Sequence, residues 1–159
     1  VSDPLSNVAM LAKIFLPKGA RVLPLNSEAA DYKLAGSAAN ARLSDLHWPL
    51  DLVWLGMGAD GHTAAIFPGA DYEEALNPAK GVRAIGVRPD PFPPEAPVDR
   101  VTLTVPAIVE ARTTMLVING AEKQQVLEQA IEEGKKSAYP VGRVIDALTV
   151  PVDIYCLSI

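Results

Sequence analysis

The residues most able to do chemistry sit together in one short segment, Gly56-Met57-Gly58-Ala59-Asp60-Gly61-His62-Thr63, directly after the apolar run 51–55. An imidazole titrates near neutrality, so His62 can accept and return a proton at physiological pH. The glycines let the chain turn tightly and approach a ligand, and their amides can face an anion. Strand ends of this kind are where open α/β sheets collect ligands. Gly58 and Gly61 are therefore candidate substrate-binding positions, and His62 is the candidate acid–base group. Asp60 has two readings that the sequence leaves open. It orients the loop or the imidazole, or it is a turn-forming aspartate before glycine.

Other chemistries fit this segment poorly. The loop lacks the third glycine spacing of a dinucleotide fingerprint, which argues against a nicotinamide cofactor. The only other histidine, His47, lies fifteen residues upstream, and no Cys/His cluster is present. No metal is expected. His47 precedes Trp48-Pro49 at an expected helix–strand connection and is assigned no role.

Several elements must position this loop. Ser6-Asn7 precedes an apolar-rich stretch, 8–16, and reads as a helix start. Residues 21–25 look like a short strand, at an edge or an end because of Pro24. Ser27 is a candidate cap for a helix over 28–43, in which Tyr32, Ala35, Ala39 and Leu43 share one face. The run 51–55 reads as a strand covered on both faces. A short helical turn through Ala65-Ile66 is expected next, stopped by Pro68-Gly69. Further strands are expected at 82–87, 100–104, 113–118 and 150–157, and helices at 106–111 and 121–133. In the last helix Val126, Leu127, Ala130 and Ile131 should face inward. Prolines 89, 91, 93, 94 and 97 make 88–97 an extended loop. Alternating strands and helices predict an α/β fold with an open parallel or mixed sheet. Residues 1–159 read as a single domain.

Composition narrows the class further. At 159 residues, with 49% hydrophobic and 21% charged, the chain is neither disordered nor fibrous and can bury a real core. Its 14 basic and 19 acidic residues leave a net charge of −5, which argues against a nucleic-acid partner. A small anion needs only two or three local cations. The single cysteine, Cys156, allows no intramolecular disulfide and, beside Ile154 and Leu157, reads as a buried core thiol. No apolar run approaches a membrane span and no signal-peptide pattern is seen, so a reducing, cytoplasmic setting without a membrane partner is expected.

The segment 55–69, from Leu55-Gly56-Met57 through Ile66-Phe67-Pro68-Gly69, closely resembles the signature of the 6-phosphogluconolactonase family. Ser6-Asn7 with Ala9-Met10 resembles the family's helix start. Arg100-Val-Thr-Leu-Thr, Pro106-Ala-Ile and Ala111-Arg112 resemble a second block. Gly120-Ala-Glu-Lys123 and Pro140-Val-Gly-Arg143 resemble a third. These blocks cover nearly the whole chain in the expected order, and the middle motif is the specific one. The resemblance implies a Rossmann-like sugar-phosphate isomerase fold and no cofactor. It also implies hydrolysis of 6-phosphoglucono-δ-lactone to 6-phosphogluconate in the oxidative pentose phosphate pathway. Glucosamine-6-phosphate deaminases belong to the same superfamily, but they carry an Asn-Glu pair where this chain has Ile66-Phe67. A deaminase-like isomerase is therefore the alternative, together with a non-catalytic sugar-phosphate-binding domain.

For a lactone, His62 would take the proton of the attacking water and return one to the leaving ring oxygen. Amides around Gly58–Gly61 are candidate oxyanion donors. By their match to the third block, Lys123 and Arg143 are expected to share the phosphate. Arg100 is expected to be structural. Ser6 and Asn7 read first as a cap and second as substrate contacts. Family members usually carry a segment before the Ser-Asn helix, with a glycine-rich turn and an Asp-Glu-Arg motif. The expectation is a C-terminal portion of such a domain, with an uncovered sheet edge or apolar face and self-association through it.

Overall fold

A computed structural model describes residues 6–25, 31–94 and 97–157. Its main sheet has three parallel strands, in the order β1 (Leu52–Leu55), β4 (Thr113–Asn119), β5 (Val152–Leu157). Two more, β2 (Ala84–Val87) and β3 (Arg100–Leu103), pair antiparallel as a separate ribbon. The helices are α1 (Asn7–Phe15), α2 (Tyr32–Leu43), α3 (Tyr72–Leu76), α4 (Val105–Val109), α5 (Ala121–Glu133) and α6 (Pro140–Ala147). This is the expected α/β class. The crossover from β4 to β5 runs through α5 and α6.

Local signals account for most boundaries. Ser6 stands at the N-cap of α1 in an extended conformation, yet its side chain makes no capping hydrogen bond. Residues 21–25 form no strand. Pro24 cannot donate to a ladder, and Arg42 of α2 holds this segment instead, donating to the carbonyls of Pro24 and Leu25 at 3.1 Å each. Ser27 and Glu28 lie outside the described residues. The helix begins at Tyr32, capped by Asp31, whose carboxylate accepts from the amides of Lys33 (2.6 Å) and Leu34 (3.4 Å). Its expected inner residues Ala35, Ala39 and Leu43 are buried. Ala65-Ile66 is not helical. Thr63 bridges to both Met57 and Ile66, which folds the segment into tight antiparallel turns. Two short helices, α3 and α6, were not expected; α6 opens on Pro140, a residue preorganised for a first helical turn.

The core explains how the sheet is covered. Val53, Leu55, Leu116 and Ile118 pack with Ile108 of α4, Leu127 and Ala130 of α5, and Val141 and Val144 of α6. Alternate strand positions point to the opposite face, where Leu52 and Trp54 are 51% and 65% exposed. Among the described residues β1 is therefore covered on one face only, against which α4, α5 and α6 pack, and Leu52 and Trp54 form the open apolar face that was expected of this chain. Ile131 is corrected, from inward to 45% exposed. It follows buried Ala130 by one residue, about 100° round the helix. Cys156 is exposed rather than core. It lies beside Ile118 in register, but β5 is an end strand of the described sheet.

Candidate active site

β1 ends at Leu55, and the glycine loop folds back on itself. The Gly58 amide donates to the His62 carbonyl at 2.9 Å, and the Gly61 amide donates to the Gly58 carbonyl at 3.1 Å. Buried Thr63 anchors the return, its hydroxyl donating to the Gly56 carbonyl at 2.8 Å. Within this frame His62 Nδ1 lies 2.6 Å from Asp60 Oδ1, and the same oxygen accepts the His62 amide at 3.2 Å. Asp60 thus contacts both the loop backbone and the imidazole. With Asp60 as an ionised acceptor the ring hydrogen sits on Nδ1, which leaves Nε2 without one.

Gly58 makes room for this pair. A Cβ there would lie 2.3 Å from His62 Nδ1 and 2.4 Å from Asp60 Oδ1. Gly61 serves a different neighbour. It has a φ of +76°, and a Cβ on it would meet the Tyr139 ring at 2.5 Å. Its carbonyl accepts the Val141 amide at 3.0 Å. The segment 139–143 thus buttresses the loop from the start of α6. Phe67 stacks on His62 with ring centroids 4.2 Å apart and planes 27° apart.

A cavity of about 1050 Å³ opens at the carboxyl end of β1. Its lining includes Gly58, Asp60 and His62 from the loop and Asn7 from the start of α1. Two cations also line it, Lys123 in the first turn of α5 and Arg100 at the start of β3. Lys123 and Arg100 thus line one cavity. Arg143 is not among the lining residues. It acts instead on Tyr72, whose hydroxyl burial pushes up and Arg143 pulls back. Gly61 is likewise behind the cavity wall, under Tyr139. Of the amides from Gly58 to His62, those of Gly58, Gly61 and His62 donate to acceptors within the loop, and those of Ala59 and Asp60 do not.

Residues 90–94 of the proline loop form more of the wall. That loop is pinned at its base, where Arg88 Nε and Nη2 each donate to the Asp99 carboxylate at 2.7 Å. These bonds hold the Asp99 carboxyl below the usual carboxylate range. Phe67, Tyr139 and Asp99 were not singled out for the site from sequence. Phe67 had a signal, an aromatic closely following the histidine in a glycine-bounded segment; Tyr139 and Asp99 had none. Among the described residues no three His, Cys, Asp or Glu side chains come together to hold a metal. No helix there is long and apolar enough to cross a membrane.

Residues 1–150 match the family described as glucosamine-6-phosphate isomerases/6-phosphogluconolactonase. A 6-phosphogluconolactonase of Mesorhizobium japonicum is 37% identical over 97% of this chain and 64% of its own length. One from Rhizobium meliloti is 35% identical over 94% of this chain and 65% of its own. The chain thus spans just under two thirds of these relatives. A crystal structure of a Shewanella baltica 6-phosphogluconolactonase superposes with a TM-score of 0.86 at 30% identity, over 99% of this chain and 66% of that one. A monomeric glucosamine-6-phosphate deaminase shares the fold, with a TM-score of 0.72 at 19% identity over 99% of this chain and 66% of that one.

Proposed function

Because this chain belongs to the glucosamine-6-phosphate isomerase/6-phosphogluconolactonase family, we propose that the protein hydrolyses 6-phosphoglucono-δ-lactone to 6-phosphogluconate. The observation that carries the reading is the Asp60-oriented His62 on a strand-end cavity that two cations also line. His62 Nε2 takes a proton as water oxygen attacks the lactone carbonyl carbon. The carbonyl oxygen becomes an oxyanion, for which the Ala59 and Asp60 amides are the available loop donors. Collapse of the tetrahedral intermediate breaks the bond from the carbonyl carbon to the ring oxygen. That oxygen receives the proton from His62, and 6-phosphogluconate leaves. Lys123 and Arg100 hold the phosphate, and Asn7 is a polar contact for the sugar. The chemistry calls for no cofactor, nucleotide or metal. It belongs to the oxidative pentose phosphate pathway in a reducing, cytoplasmic setting, and the 159 residues act as one lactonase-like domain.

Phe67 supports this reading over the deaminase. The resemblance puts the deaminases' acid at this position, and here an apolar ring lies against His62. The test is lactone hydrolysis by the full-length protein. His62→Ala should lower turnover at least about a hundredfold with the fold intact, the scale of a lost acid–base group. Near-normal turnover by that variant would refute the assignment.

A further inference from the structure

We propose that Phe67 is a positioning residue that ties the acid–base histidine to the phosphate-binding arginine, so that one ring sets both. The inference rests on the roles given above to His62 and Arg100 and adds the coupling between them. Two restraints act on His62. The Nδ1 contact with Asp60, at 2.6 Å, fixes one atom of the imidazole and leaves the tilt of the ring open. The Phe67 ring, stacked at 4.2 Å, removes that freedom. Together they define where Nε2 points. The same ring also carries Arg100, whose Cζ lies 5.3 Å from the Phe67 centroid, inside the range of a cation–π contact.

Phe67 is itself held firmly. It is 9% exposed, belongs to the main core, and follows Ile66, which is fully buried. Just before it, the Ala65 amide donates to the buried Thr102 hydroxyl at 3.2 Å. Thr102 lies two residues from Arg100 on β3, so both side chains leave the same face of that strand. The segment that carries Phe67 is thus registered against the strand that presents Arg100. A phosphate that draws the guanidinium shifts a group leaning on the ring against which His62 is set.

The experiment uses the full-length protein and the variants Phe67→Leu, Phe67→Tyr, Arg100→Gln and the double Phe67→Leu/Arg100→Gln, with circular dichroism as the check on folding. Leucine fills space without a π face; tyrosine keeps the face. Phe67→Met is read in the same way should the leucine variant not fold. On the phosphorylated lactone, Phe67→Leu should lower kcat about tenfold, the scale of a sub-ångström misplacement of a reacting group. It should also raise KM roughly three- to tenfold, the scale of one cation–π contact. On unphosphorylated glucono-δ-lactone only the kcat loss should remain. Phe67→Tyr should restore both constants to within about twofold, and the double variant should raise KM no further than Arg100→Gln alone. In parallel, inorganic phosphate is titrated while the His62 Hε1 proton resonance is followed. The resonance should move in the wild type and stay still in Phe67→Leu. A folded leucine variant with unchanged kcat and KM, or KM effects that add in the double variant, would overturn the proposal. If the wild type hydrolyses no lactone, the reaction assignment falls and the titration decides the coupling. An equal shift in both proteins, or none in the wild type, then overturns it, and a shift lost only in the variant sustains it.

Discussion

Replacing Gly58 by alanine separates the proposed role of the His62–Asp60 pair from the stability of the fold. The φ of Gly58 is outside the left-handed region, so alanine meets no backbone strain there. The added Cβ would fall 2.3 Å from His62 Nδ1, 2.4 Å from Asp60 Oδ1 and 2.4 Å from His62 Cε1. Ordinary contact begins at 3.4 Å, so the imidazole or the carboxylate must retreat by about 1 Å, a misplacement able to cost about a hundredfold in rate. The backbone cannot yield in their place without breaking the two bonds that close the loop, Gly58 amide to His62 carbonyl and Gly61 amide to Gly58 carbonyl. Both displaced groups are side chains, and His62 is 24% exposed, so most of the native packing survives. The expected outcome is a kcat lowered about a hundredfold, with a thermal midpoint within a few degrees of the parent, roughly the effect of less than 1 kcal/mol. Steady-state kinetics and a calorimetric scan on the full-length protein measure both. A variant with parental kcat would refute the reasoning, since the pair would then work without the geometry that Gly58 permits.

Gly36→Ala should do the reverse, losing stability before chemistry. Its Cβ would lie 1.9 Å from the Gly86 backbone nitrogen, and overpacking against backbone that cannot rotate away costs about 1–3 kcal/mol or more. An unchanged denaturation midpoint would contradict the close α2–β2 contact. Lys123→Gln should raise KM for the phosphorylated lactone by an amount equivalent to about 1.5–3 kcal/mol, the worth of a charge-assisted contact. Arg143→Gln should leave KM within about twofold, and equal effects from the two would return Arg143 to the phosphate. Asp99→Asn tests the base of the proline loop through pH. The Asp99 carboxyl is lowered in the folded state, first by its hydrogen bonds from Arg88. The stability it lends is therefore fully present above the unfolded value of about 3.9 and is lost as pH falls through the folded one. The gap in thermal midpoint between parent and variant should be open at neutral pH and closed in strong acid. A gap that persists unchanged there would remove the ion pair as its cause.

What was legible in the residue order was whatever acts over a few positions. The candidate loop showed itself because glycines, an aspartate and a histidine directly follow an apolar run. The bounds of α5 and the buried face of α2 followed from helical periodicity, and the α/β class from the alternation of element types. The tertiary structure alone decided which distant groups meet that loop. Lys123, Arg100 and Arg143 are equivalent as isolated cations, separated from His62 by dozens of residues. Of the three elements that carry them, the start of β3 and the first turn of α5 reach the cavity and α6 does not, so Arg100 lines it and Arg143 lies by Tyr72. Packing likewise gave the block around Pro140 its part, because Tyr139 and Val141 rest on Gly61. Burial was decided at the same level. Trp54 and Cys156 carry apolar or weakly polar side chains in apolar runs, yet Trp54 points away from the packed helices and Cys156 sits on an end strand. Local chemistry chooses the conformation of a segment, whereas its neighbours depend on sheet register and helix packing, which no short window of sequence contains.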